Sequence, residues 1–201
     1  MRRIAKPLVF LLALVPLAGL IFIVLTGRTS ANPAEDILLT TGIWALRLLV
    51  LTLLVTPLRR VTGWNRVIQY RRMLGLFAFF YVSVHFAIYI GIDQFFAFDL
   101  ILKDIVKRPF ITMGFTAFVL MIPLAITSTK GWIRRLGRRW QMLHRLIYIS
   151  AIAAAVHYLW KVKVMIGSPV YYAAIIAILL GFRVVWQLRS ASAIRRQTAG
   201  A

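Results

Sequence analysis

Six long apolar runs, separated by short polar or basic segments, set the pattern of the 201-residue chain. They fall at about 7–26, 37–57, 73–92, 109–127, 140–160 and 170–188, each close to the roughly 20 residues a helix needs to cross a bilayer. Lipid offers no partner to an open strand edge, so each run is predicted as a helix. The expected fold is an all-α integral membrane protein, one domain over 1–201 built as a bundle of six transmembrane helices.

The segments between the runs refine this picture. MRRIAK leads into an apolar stretch too long for an ordinary signal core, so 7–26 reads as a retained first span. Asn32-Pro33 signals a turn before the second run, and Gly167, Ser168 and Pro169 one before the sixth. The stretch from Asp93 to Arg108 reads as a mixed-charge loop with amphipathic character, expected to lie along the membrane surface. Lys130 to Arg139 reads as a basic loop, and the tail RSASAIRRQTAGA as a disordered end. Beyond a likeness of the third and fifth runs, no internal repeat is expected.

Charge then gives an orientation. Counting segments alternately, one side receives Arg2, Arg3, Lys6, the Arg59 to Arg72 and Lys130 to Arg139 clusters, Arg189, Arg195 and Arg196. The other receives all five acids, Glu35, Asp36, Asp93, Asp99 and Asp104, with six scattered bases. The positive-inside rule places both termini in the cytoplasm. A formal charge of +20 would suggest nucleic acid in a soluble protein, but here it orients spans, and no nucleic-acid partner is expected. The chain has no cysteine, which excludes disulfides, thiolate metal sites, iron–sulfur clusters and covalent haem attachment. It also lacks a G-x-G-x-x-G unit with alternating strands and helices, so electrons, if handled, arrive from another molecule.

Candidate chemistry rests on three histidines. His85 lies deep in the third run, and an ionisable ring there points to function. His144 and His157 stand at the entrance and near the exit of the fifth. His85 follows Arg72, and His157 follows His144, by thirteen residues, a climb of roughly 20 Å along a helix. His85 and His157 are thus expected at one level, as the two axial ligands of a b-type haem. An interfacial aromatic-belt role competes at His157, beside Tyr158 and Trp160. His144 reads either as a cofactor contact or as a ring facing water or headgroups, opposite Arg71 or Arg72 across the bundle. Arg72 is a further candidate cofactor contact at that level. Arg47, inside the second run, is either a snorkelling or paired arginine or a contact to a haem propionate.

Arg71-Arg72 with Leu74-Gly75-Leu76 and then His85, the string WQMLHRLIY from Trp140 to Tyr148, and HYLW from His157 to Trp160 occur here in fixed order. By these motifs the chain resembles the MsrQ (YedZ) family, haem-binding membrane subunits of bacterial protein-methionine-sulfoxide reductase systems, within the ferric-reductase-like transmembrane superfamily. The resemblance covers essentially the whole chain. It implies an inner-membrane electron-transfer protein carrying haem b and associated with FMN. Electrons would come from the quinone pool or a cytoplasmic flavin reductase and go to a periplasmic molybdenum-containing catalytic subunit. That partner chain would reduce methionine sulfoxide in oxidised proteins. The larger ferric reductases and NADPH oxidases of the superfamily carry a cytoplasmic flavin and nicotinamide domain, absent here. Those with two stacked haems use four histidines, where this chain has three. The competing readings are a ferric or cupric reductase acting on a small external substrate, and a haem-free transporter with a histidine-lined path.

Overall fold

The computed structural model describes residues 5–162 and 167–199. Arg2, Arg3 and Lys163, part of the predicted charge segregation, lie outside the described residues, as do the side chains of Arg195 and Arg196. Among the described residues there is no strand. Six segments are long and apolar enough to cross a membrane: Ala5–Leu25, Pro33–Thr62, Asn65–Asp93, Pro109–Ile126, Arg138–Val162 and Ser168–Arg189. Each overlays one predicted run.

The helices in chain order are α1 (Ala5–Leu25), α2 (Pro33–Thr62), α3 (Arg71–Ile88), α4 (Phe98–Lys107), α5 (Pro109–Ile126), α6 (Lys130–Leu136), α7 (Arg138–Leu143), α8 (Leu146–Val162) and α9 (Ser168–Ala199). α2 starts at the predicted Asn32-Pro33 turn. The Asn32 side chain accepts the Glu35 N–H, Pro33 takes a position that needs no donor, and Glu35 and Asp36 meet the positive end of the helix. It stops at Gly63, whose φ of 70° lets its N–H reach the Arg59 carbonyl.

Two helix pairs form the bundle: α2 lies along α3, α5 lies along α8, and α9 packs on α8 and α2. Small residues bring α5 and α8 close, with Ala151 fully buried and the Ser150 hydroxyl donating to the Ala117 carbonyl at 2.9 Å. α1 is tied on by Tyr81, whose buried hydroxyl donates to the Ala13 carbonyl and accepts the Leu17 N–H. That hydroxyl sits inside the α1 hydrogen-bond ladder next to Pro16, where a proline already weakens it. α4 buries Ile101 and exposes Leu100, Leu102 and Val106, so the segment between Asp93 and Arg108, expected as a loop of amphipathic character, is in large part a helix.

Three further expectations need correction. The Lys130 to Arg139 segment is mostly helical: Thr129 caps α6 by accepting the Trp132 N–H, and Gly137, at φ 50°, separates α6 from α7. The fifth run is not one helix but breaks at His144 and Arg145, between α7 and α8. There the Trp140 indole is held by the Thr127 carbonyl at the end of α5, and the His144 ring stacks on that indole with centres 3.8 Å apart. The tail, predicted as disordered, continues α9 through Ala199, since no glycine or proline interrupts 182–199.

Candidate functional site

His85 on α3 and His157 on α8 face each other across the space between the two helix pairs. Their ring centres are 6.3 Å apart and their planes are turned by 80°. Each ring is held in the same way. His85 Nδ1 lies 2.9 Å from the Leu38 carbonyl on α2, and His157 Nδ1 lies 2.6 Å from the Phe110 carbonyl on α5. A carbonyl can only accept, so Nδ1 carries the proton and Nε2 is left with its lone pair.

Each ring also rests in a notch made by a glycine one turn along from that carbonyl. A methyl at Gly42 would stand 3.0 Å from His85 Nδ1 and Cε1; one at Gly114 would stand 2.7 Å from His157 Nδ1. Leu38, Gly42 and His85 map onto Phe110, Gly114 and His157 by a shift of 72 positions, with 47 residues between carbonyl and imidazole in both. The chain therefore holds an internal repeat, α2 with α3 and α5 with α8, where the sequence was expected to show only a likeness of two runs. The signal lay in the glycines, which the histidine spacing alone does not bring out.

Both histidines line a cavity of about 570 Å³ that reaches inward to Leu49, Ala78 and Met121. From Leu38 to Leu49 this covers about 16 Å of helix rise. Its inner walls are apolar, and its rim carries Tyr89, Asp93, Arg108 and Lys161. A single π-helical turn, Tyr89–Asp93, widens α3 just beyond His85 and sets the rim on that side. Arg108 is paired with Asp104 at 3.2 Å, whereas Lys161 has no ion pair among the described residues.

This arrangement fits a haem. With metal–nitrogen bonds of about 2 Å, two imidazoles sharing one metal ion have ring centres on the order of 6 Å apart, close to the 6.3 Å between these rings. Protein carbonyls fix both tautomers, apolar walls match a porphyrin, and rim cations suit propionates.

The remaining expected residues lie elsewhere. Arg47 is exposed, donates from Nε to the Tyr172 hydroxyl at 2.9 Å and stacks on Trp44. That contact with α9 is of the kind the paired-arginine reading expects, and Arg47 is not among the residues lining the cavity, whose rim carries Lys161 and Arg108, missed in the sequence. Arg72 is exposed at the start of α3 and His144 lies at the α7–α8 break, so neither joins the cavity. Of the two arginines expected opposite His144, Arg71 is close enough to interact with it electrostatically.

Residues 41–155 match the family described as ferric reductase like transmembrane component. The chain is 50% identical over 184 residues to the "Protein-methionine-sulfoxide reductase heme-binding subunit MsrQ" of Herminiimonas arsenicoxydans, covering 90% of this chain and 84% of that protein. It belongs to the MsrQ family. The protein of the same name from Ralstonia nicotianae is 51% identical over 192 residues, covering 94% of this chain and 88% of its own length. The one from Xanthomonas euvesicatoria is 50% identical over 201 aligned positions, covering 97% and 90%. No solved structure matches the chain. The matched segment begins at Thr41, takes in both glycine notches and His85, and ends at Ala155, two residues before His157.

Proposed function

We propose that this protein is the haem-carrying electron-transfer subunit of a methionine sulfoxide reductase system, with His85 and His157 as the axial ligands of one haem b. The observation that carries this reading is the pair of imidazoles 6.3 Å apart on two equivalent glycine notches. The names of the relatives described above, each a haem-binding subunit of protein-methionine-sulfoxide reductase, support it.

When bound, haem supplies reversible one-electron chemistry. The chain's own work is to hold and tune. Leu38 and Phe110 orient the rings through Nδ1, presenting Nε2 to the cavity. Apolar side chains such as Leu46, Phe118 and Met121 keep water from its inner part, which lowers the local dielectric. Lys161 and Arg108 offer positive charge at the rim to the propionates.

In the same reading the protein lies in the bacterial inner membrane with both termini cytoplasmic. Electrons enter from the quinone pool or a cytoplasmic flavin reductase and leave to a periplasmic molybdenum-containing reductase that repairs oxidised proteins. The histidine pair then lies near the exit face, where α2 and α5 begin. FMN on the donor side rests on the family resemblance alone.

The test is an absorption spectrum of the purified protein followed by reoxidation of the reduced form. A six-coordinate haem band, with reoxidation by a periplasmic molybdenum methionine sulfoxide reductase faster than by chelated ferric iron, is expected. Faster reoxidation by the chelate would favour a metal reductase, and no haem band would end the redox reading.

A further inference from the structure

The opposite end of the bundle holds buried positive charge that the chain does not balance. Arg183 on α9 is only 6% exposed. One terminal nitrogen donates to the Tyr148 hydroxyl at 2.9 Å and the other to the Leu53 carbonyl, while Nε has no partner. Arg71, at the start of α3, is close enough to Arg183, Arg59 and Tyr148 to interact with them electrostatically, and it shares the Tyr148 hydroxyl as a hydrogen-bond partner. Thr56, on the α2 turn after Leu53, has a buried hydroxyl with no partner among the described residues.

Guanidinium groups gathered out of water repel one another, and a buried cation needs a counter-charge. None is available from the five acids. Glu35 and Asp36 sit in the first turn of α2, Asp93 follows α3, and Asp99 and Asp104 lie on α4, all at the other end of the bundle. The missing charge must come from another molecule. Guanidinium forks match phosphate oxygens, and a hydroxyl can complete the set.

We infer that Arg183 and Arg71, with Tyr148 and Thr56, hold a phosphate-bearing anion that enters between α2, α3, α8 and α9. Arg183 is six residues inside Arg189, where the last span ends, about 9 Å of helix rise. A phosphate at that depth belongs either to a lipid headgroup or to a phosphorylated soluble compound, and the recognition chemistry is common to both.

The test uses the full-length protein in nanodiscs of phosphatidylcholine, with and without one-third phosphatidylglycerol, and with inorganic phosphate added to the first. Wild-type protein should melt at least 5 °C higher with phosphatidylglycerol if lipid is the source, or with inorganic phosphate if a soluble phosphate is. Native mass spectrometry should show a matching adduct. Arg183→Met should lose at least four-fifths of the adduct and the whole shift, and Arg183→Lys should keep part of both. If Arg183→Met does not fold, Arg71→Met carries the same expectation. No stabilisation by either addition in wild type, or an equal response in the methionine variants, overturns the assignment.

Discussion

The two helix pairs that flank the cavity are alike at one end and unlike at the other. Near the histidine pair, α2 with α3 and α5 with α8 repeat carbonyl, glycine and imidazole at the same spacings. Thirteen residues before each of the paired histidines, the same shift sets Arg72 against His144. Arg72 is exposed at the start of α3, whereas His144 stacks on Trp140 at a break in the chain. A repeat keeps its likeness where both halves serve one ligand. Where the halves differ, no second pair of imidazoles exists, and we propose one bis-histidine haem per chain.

Removing either imidazole should give the largest effect. His85→Ala and His157→Ala are each expected to lower haem content in the purified protein more than tenfold, read from the absorption band, with partial recovery on added imidazole. His144→Ala should keep most of the haem. Loss of haem in His144→Ala but not in His157→Ala would overturn the pairing.

The notches come next. Gly114→Ala places a methyl 2.7 Å from His157 Nδ1, tighter than the 3.0 Å at Gly42, and the ring cannot retreat without leaving the Phe110 carbonyl. Such overpacking costs about 1–3 kcal/mol. Haem retention should fall further in Gly114→Ala than in Gly42→Ala, as measured by transfer of haem to an apoprotein acceptor. Equal retention in both variants and wild type would remove the notches from the site.

Much of this was legible in the sequence. The spans follow from hydropathy, and the match of His85 with His157 follows from counting residues along two helices that climb the same way. What escaped depends on neighbours that sequence distance hides. Gly42 and Gly114 look like ordinary small residues until a ring from another helix is seen against them. Arg183 sits in an apolar run with nothing nearby in sequence to mark it as buried against Tyr148 and Leu53. Arg47 stayed open between two readings for a related reason: an arginine inside a span needs a partner, and helical periodicity does not say whether that partner is a ligand or Tyr172.

At the rim the two halves differ by Tyr89 in one and Lys161 in the other, equivalent positions under the same shift. The Tyr89 hydroxyl is already directed at Asp104, 3.4 Å away. Lys161, with no ion pair among the described residues, is placed at the rim to meet a propionate. A charge-assisted hydrogen bond at such a position contributes about 1.5–3 kcal/mol, reduced by the water the rim admits. Lys161→Met should therefore weaken haem retention about tenfold in the same transfer assay, while Tyr89→Phe leaves it within about twofold. The reverse order would place the propionates on the α3 side.

The smallest effect on the site should come from Arg47. Its side chain is exposed, and its partners, Tyr172 and Trp44, lie outside the cavity. Arg47→Leu removes a hydrogen bond from a charged donor and a cation–π contact, each worth on the order of 1 kcal/mol at an exposed site. The cost falls on the docking of α9 to α2, so the melting temperature should drop by a few degrees, about what 1 kcal/mol does to a domain of this size. Haem content and spectrum should match wild type. Tyr172→Phe should reproduce most of the loss, and the double variant should add little, because both remove the same bond. If instead Arg47→Leu lowers haem content as far as Lys161→Met does, the guanidinium reaches the propionates after all, and the division between a cavity-facing and an α9-facing side of α2 is wrong.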